Sequence, residues 1–359
     1  MKKEYRFPCE QCGAKLKFSA LDGNLKCSHC GHLNHVERSS YDIVEKDYDK
    51  AIEELKNFSL HPLHVESIKC NSCAAVFEIE ENIHSSVCPY CSSAIVHETQ
   101  LYRPIKPQGI LPFKLTKKDA RSAFKAWLKD LWFAPNKLKE YGANSSKLDG
   151  IFIPHWTYDT DTFSSYTGRR GDIHHVIKQK NVVVDGRNEI VDEEVEEILW
   201  TRVSGDLYKS FDDVLVMGTT SLKHTLSNWD LENLVDYDEA YLSGYESEVY
   251  SVELDEGLKS AKNIMQHRIR GDIKRQIGGD EQEIHSLDSE YNNITYKHIL
   301  LPIYASAFKF GGKVYSYVIN GRNGEISGDR PYSWVKIGLT VIMVLAAIGI
   351  AYYFYGQNR

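Results

Sequence analysis

The chain has 359 residues, of which 42% are hydrophobic and 26% charged, and it carries a net charge of −7. That length allows two or three domains, and the composition is that of a globular protein. The acidic balance argues against a chain built mainly to grip nucleic acid, which normally presents a basic face.

The first residues, MKKEYRFPCE, hold two lysines with no apolar run behind them. This is not the pattern of a signal peptide, so the N-terminal part is expected in a reducing compartment. Paired cysteines there read as metal ligands rather than disulfides. Cys9, Cys12, Cys27 and Cys30 form C-x2-C, 14 residues, C-x2-C. The pattern returns at a constant offset of 61 as Cys70, Cys73, Cys88 and Cys91, which uses all 8 cysteines. Phe7 answers Ile68, and Gly13-Ala14 answers Ala74-Ala75, so one small module is duplicated.

Two residues between cysteines let a tight turn aim both sulfurs at one ion, and two such turns complete a tetrahedral S4 cage. A module of this size has too little core to fold alone, and metal binding supplies the difference. Two structural Zn2+ ions are expected, one per quartet, with iron as the rival for a soft S4 site. Four thiolates close the site to substrate, so both cages read as clips. His29, His32 and His35 crowd the first quartet but read as surface histidines. The ribbons are expected over 1–39 and 67–98, with Leu16 to Phe18 and Phe77 to Ile79 as strands.

Between them, 40–66 reads as an amphipathic linker helix. Its apolar stripe is Val44, Tyr48, Ala51, Ile52, Leu55 and Phe58. The 99–149 segment is expected to be helical. Thr116 with Asp119 forms a capping pair. Ala120, Ala123, Phe124, Trp127, Leu128, Leu131 and Trp132 make a core-facing stripe that Pro135 stops.

From residue 150 the hydrophobic period changes to two. An α+β, mostly antiparallel domain is expected over 150–334, with Asp185-Gly186, Asn320-Gly321 and Asn323-Gly324 as turn signals. One long helix interrupts it, with Leu258, Ala261, Met265, Ile269, Ile273 and Ile277 on one face and Gly278-Gly279 at its end. IFIPHWTYD and LLPIYASAF resemble each other loosely, a hint of a second duplication.

A transmembrane helix is expected over 335–356. Ile337 to Tyr355 carries no charge, and that stretch spans roughly 28 Å as a helix, close to a bilayer core. Tyr332 and Trp334 precede it, and Tyr352, Tyr353 and Tyr355 close it, as an aromatic belt would. The competing reading is a buried core helix. Arg322, Arg330 and Lys336 lie before the span and Arg359 beyond it. The positive-inside tendency therefore puts the N-terminal part in the cytoplasm of a tail-anchored, single-pass protein of the cell membrane.

Catalytic signatures are missing. There is no phosphate-cradling G-x-x-x-x-G-K-[ST], no G-x-S-x-G, no H-E-x-x-H, and no cysteine outside the quartets. Asp192-Glu193-Glu194-Val195 reads as a solvated acidic strand or turn. Asp159 and Asp161 begin like a calcium loop, but Phe163 breaks the pattern. His174 and His175 adjoin on a strand and face opposite ways. The chain is therefore not expected to be an enzyme.

The two ribbons, FIPHWTYD, SFDDVLV and ILLPIYASAFKFGGKVYSYVINGRNGEISGDRP together resemble a bacterial family of two-zinc-ribbon membrane proteins. Its members are usually labelled TFIIB-type zinc ribbon-containing protein, or primosomal protein N-prime (replication factor Y)/superfamily II helicase. The resemblance runs over almost the whole chain, but the motor motifs that a helicase needs are absent. It implies association with SPFH/band-7 and PspA-like envelope-stress proteins. The resulting expectation is a membrane-anchored zinc-ribbon adaptor that binds proteins at the cytoplasmic face. The alternative is a nucleic-acid-binding ribbon protein without helicase activity. Residues 1–39 hold seven Lys/Arg against four Asp/Glu, and two charges fewer once a zinc tetrathiolate is counted, which is weak for phosphate tracking.

Overall fold

A computed structural model of the protein describes residues 7–36, 43–58, 67–69, 76–78, 85–87, 94–96, 105–141, 148–184 and 187–357. The first ribbon is a three-stranded antiparallel sheet of β1 (Leu16–Ser19), β2 (Asn24–Cys27) and β3 (Leu33–Asn34). Then come β4 (Lys46–Asp47) and α1 (Tyr48–Phe58). Two short hairpins follow, β5 (Ser67–Lys69) with β6 (Val76–Glu78) and β7 (Ser85–Val87) with β8 (Ala94–Val96). They have the strand spacing of a second ribbon, but Cys70, Cys73, Cys88 and Cys91 lie outside the described residues.

The body begins with β9 (Gly109–Ile110), α2 (Lys117–Asp130) and α3 (Asn136–Tyr141). It is organised by three very long strands, β10 (Asp149–Val184), β11 (Arg187–Met217) and, after β12 (Val235–Asp236), β13 (Glu246–Ser247) and α4 (Leu254–Ile277), β14 (Glu281–Phe310). The sheet closes with β15 (Lys313–Asn320) and β16 (Ile326–Gly328), in the order β11-β10-β14-β15-β16. The chain then enters α5 (Trp334–Gln357).

Turn chemistry sets these connections. β10 and β11 pair antiparallel up to Val184 and Arg187, and the turn signal Asp185-Gly186 lies outside the described residues. Phe310 pairs with Lys313 around Gly311 and Gly312, both at positive φ, a turn that only the Gly-Gly pair signals in sequence. Asn320-Gly321 opens a longer loop instead: the Asn320 amide donates to Glu325 O and the Gly324 amide to Asn320 O. The similar segments IFIPHWTYD and LLPIYASAF lie side by side, with Phe152 opposite Pro302 and Ile153 opposite Leu301.

The body end of the sheet is covered on both faces. On one, Ile151, Ile153, Ile299, Leu301, Ile303 and Val318 pack under Leu222, Leu226, Trp229 and Leu231. On the other, Phe152, Tyr304 and Tyr317 meet Phe124 of α2, whose ring stacks on Tyr317 at 4.1 Å. Thr116 caps α2 with a full capping box to Asp119, as the sequence indicates. α4 lies along the next stretch of the same three strands. Its stripe Leu258, Ala261, Met265, Ile269, Ile273 and Ile277 is buried against Trp156, Tyr158, Tyr166 and Phe211. Gly257 lets it close in: an added Cβ there would collide with the Tyr158 hydroxyl, which donates to Leu254 O at 2.6 Å.

Beyond α4 the sheet narrows to an arm. β14 pairs with β10 only as far as Gly171, and Asp172–Val184 and Arg187–Leu199 continue as a two-stranded hairpin. Those 13 residues a side reach roughly 43 Å further. Ile177, Ile190 and Leu199 are exposed on it, between ion pairs such as Lys180–Glu193 at 2.9 Å. Asp192, Glu193 and Glu194 lie in this strand, and His174 and His175 sit on its opposite faces.

Two sequence expectations shift. The helix of the 40–66 segment starts at Tyr48, and Val44 is exposed ahead of it. β4 pairs with β14 instead, and Tyr48, Ala51, Ile52 and Leu55 pack into the core beside Trp156. Trp132 leaves its stripe because α2 ends at Asp130; the chain turns at Leu131, and Trp132 is 75% exposed.

Candidate metal centre

Each cysteine pair of the first quartet sits on a turn of the same design. The Gly13 amide donates to Cys9 O at 2.8 Å and the Cys9 amide to Ala14 O at 2.8 Å. The second turn repeats this with Gly31 to Cys27 O at 3.0 Å and Cys27 to His32 O at 2.9 Å. Both turns need a left-handed residue after the second cysteine, and Gly13 (φ 71) and Gly31 (φ 76) supply it without a Cβ penalty.

The turns bring Cys9 Sγ to 3.6 Å from Cys30 Sγ and Cys12 Sγ to 3.5 Å from Cys27 Sγ. All four sulfurs lie within 4.8 Å of one another. Tetrahedral Zn–S bonds of ~2.3 Å would set sulfurs about 3.8 Å apart, so the quartet has the dimensions of an S4 cage. Amides of Cys30 and His29 favour the Cys27 thiolate and lower its pKa to about 6. The Ala14 amide does the same for Cys12, but the surrounding sulfurs and burial win and push it to about 12. Four sulfurs at this spacing could hold one metal ion among them. His29 and His35 are exposed, and His32 approaches Glu10 at 3.9 Å rather than the sulfurs.

The cage is joined to the body. Cys9 and Cys27 are buried with Leu16, Phe18, Leu25 and Val36 in a core that continues to Tyr241. Phe18 meets the Tyr241 ring at 5.1 Å, its amide donates to Ser243 O at 2.9 Å, and Ser243 Oγ donates to Leu16 O at 2.7 Å.

A second cluster has no signature in the sequence. Glu45, Asp159 and Asp212 place carboxylate oxygens within 4.8 Å of one another where two β-bulges bend the ribbon. Asp213 and Asn293 take positive φ at these bulges. The cation here is Lys297, whose Nζ lies 2.8 Å from Asp213, 3.0 Å from Glu45 and 3.8 Å from Asp159. Thr295 Oγ1 donates to Glu45 at 2.8 Å, and the Asp213 amide donates to Asp159. No spacing joins residues 45, 159, 213 and 297; only the pairing of β4, β10, β11 and β14 does. Asp161, the other half of the apparent calcium loop, instead accepts from Ser210 Oγ at 2.6 Å.

One ammonium faces three carboxylates, so a proton is retained. Burial, helped by Glu45, raises the pKa of Asp159 to about 7, against the pull of the Asp213 amide and Lys297. Glu45 stays low: burial opposes its charge, but hydrogen bonds from Lys297 and Thr295 prevail. Between an unfolded value of about 3.9 and the folded value, the native state holds a proton that the unfolded chain has released. This contribution to stability is present below about pH 4 and is lost as the pH rises through about 7. The thermal midpoint of the wild type is expected to fall from about pH 5 to about pH 8, and Asp159→Asn to flatten that part of the profile. Coincident slopes for the two proteins would refute the assignment.

α5 completes the candidate features. Trp334–Tyr355 is long and apolar enough to cross a membrane, and Val341–Ile350 is exposed throughout. A core helix would be covered, so that competing reading does not fit. Over 337 residues, 92% of this chain, the sequence is 21% identical to 91% of the "Uncharacterized protein YdjG" of Bacillus subtilis (strain 168). No protein-family model and no solved structure matches the chain.

Proposed function

We propose that the protein is a membrane-anchored adaptor, not an enzyme, that binds other proteins at the cytoplasmic face of a bacterial membrane. In this reading α5 crosses the bilayer once, with Arg330 and Lys336 on the cytoplasmic side. Each cysteine quartet holds a structural zinc ion. SPFH/band-7 and PspA-like proteins are the partners that the family resemblance suggests.

The observation that carries the reading is the arm. The apolar stripe of α1 and the core side of the first ribbon are already buried, which leaves Leu21 and Leu33 as the ribbon's exposed large apolar side chains. The hairpin Asp172–Val184 and Arg187–Leu199 has no further strand beside it among the described residues and exposes Ile177, Ile190 and Leu199. An open strand edge with exposed apolar side chains beside it is the geometry of β-strand addition. The arm also stands at the opposite end of β14 from the start of α5, which presents it at a distance from the bilayer.

The test is affinity capture from native membranes with the full chain, with Cys9→Ser/Cys70→Ser and with a chain whose residues 172–199 are replaced by Asn-Gly. Arm removal is expected to abolish capture while membrane retention and metal content persist. The cysteine variant is expected to lose metal and to weaken capture. Undiminished capture by the armless chain defeats the reading, and a steeply salt-dependent retention of nucleic acid would replace it with the nucleic-acid alternative.

A further inference from the structure

We propose that the corner between α2 and α3 is a second membrane contact, in which Trp132 inserts into the interfacial layer of the bilayer that α5 enters. The inference rests on the reading of α5 as a membrane span and adds to it a fixed pose of the body on the lipid surface.

The corner is sorted by side. Leu131, Ala134 and Leu138 point inward and are 5%, 2% and 1% exposed, while Trp132 is 75% and Phe133 37% exposed. A bare indole on a water-facing turn forgoes about 2 kcal/mol of burial, so its setting needs a reason. The turn is held against the first turn of α5. The Ser333 amide donates to Phe133 O at 2.7 Å, and Lys336 Nζ donates to Trp132 O at 3.2 Å and to Ala134 O at 2.8 Å. These bonds set the backbone of Trp132 level with residues 333–336, where the apolar run of α5 begins.

The neighbours at that level have matching chemistry. Trp334 is 82% and Tyr332 52% exposed, and the Arg330 guanidinium lies over the Tyr332 ring at 5.5 Å. Lys313 and Val314 line a shallow cavity with Arg330 and Tyr332, and Val314 is 55% exposed. Asp329 lines the same cavity, and Asp130 ends α2 two residues before Trp132. Exposed indole and phenol rings beside lysine and arginine, level with the start of an apolar helix, are the makeup of a headgroup layer contact. The occupant follows from continuity: lipid that surrounds the exposed length of α5 must reach its first turn, and Trp132 is bonded to that turn.

The test is fluorescence quenching of the full chain in phosphatidylcholine–phosphatidylglycerol vesicles whose acyl chains are brominated near the glycerol or at mid-chain. The protein has 6 tryptophans, and Trp132 and Trp334 are the ones expected to respond, more strongly to the shallow bromines. Trp132→Phe is expected to remove about half of the quenched amplitude and Trp334→Phe the remainder, with metal content unchanged in both. Quenching that Trp334→Phe removes and Trp132→Phe leaves intact overturns the second contact and keeps α5 in the bilayer. Failure of the chain to float with the vesicles, with no quenching at all, overturns the membrane reading itself and the contact with it.

Discussion

Cys27→Ser is expected to release the ion of the first quartet and to unfold its ribbon. The described part of this ribbon spans 30 residues, 7–36, and its own apolar content is little more than Leu16, Phe18, Leu25 and Val36. Zinc-stapled modules of this kind draw on the order of 10 kcal/mol from the metal, far more than such a core supplies. The loss should spread to the body, because Phe18 leaves Tyr241 and the Ser243 hydrogen bonds open. Elemental analysis should show one ion fewer per chain, and hydrogen exchange should show lost protection over Leu16–Cys27. Full metal content and unchanged protection would refute the assignment. The two quartets should also differ under a chelator. At the offset of 61, Ala74 and Ser92 take the sequence places of Gly13 and Gly31, so a second cage of the same design would put L-residues at positive φ at a cost of about 1–2 kcal/mol each. The quartet of Cys70, Cys73, Cys88 and Cys91 is therefore expected to release metal first.

Lys297→Met should destabilise the body by about 3–5 kcal/mol, the range for breaking one side of a buried ion cluster. Lys297 is 7% exposed, and without its ammonium Glu45, Asp159 and Asp213 repel one another at the bend of the ribbon. Burial works against its charge, yet the three carboxylates hold the lysine protonated well above its usual range. The cost should grow with pH, as the proton on Asp159 is lost. Adding Asp159→Asn should recover part of the stability, since it removes one of the opposed charges. Denaturant unfolding of the single and double variants at two pH values measures both effects. Strictly additive effects would show that the lysine and Asp159 are not coupled.

Some features were legible because their causes are local. A C-x2-C turn closes within a few residues, so spacing alone places two sulfurs together. The Thr116–Asp119 cap and the stripes of α2 and α4 follow from helical periodicity; the α4 stripe is buried throughout, and the α2 stripe at Ala120, Phe124 and Leu128. A helical period does not mark where its element ends. Trp132 continues the stripe of α2 on paper, and Val44 that of α1, but the chain has left the helix at one and not yet entered it at the other. The long strands show in the sequence only as short alternating segments. Bulges near Asp159 and Gly168 break the alternation that would have shown three strands of 30 residues or more.

The sequence by itself determined the first cysteine quartet and the apolar helix. Ligand spacing is a property of one turn, and the match between an uncharged stretch and a bilayer is a property of length. Tertiary structure alone decided what the modules attach to. The first cage shares its core with Tyr241, α1 lies against β14, Lys297 gathers carboxylates from three other segments, and Trp132 is bonded to the first turn of α5. Each of these pairs residues far apart in the chain, and such a pairing is fixed only when the long strands choose their register.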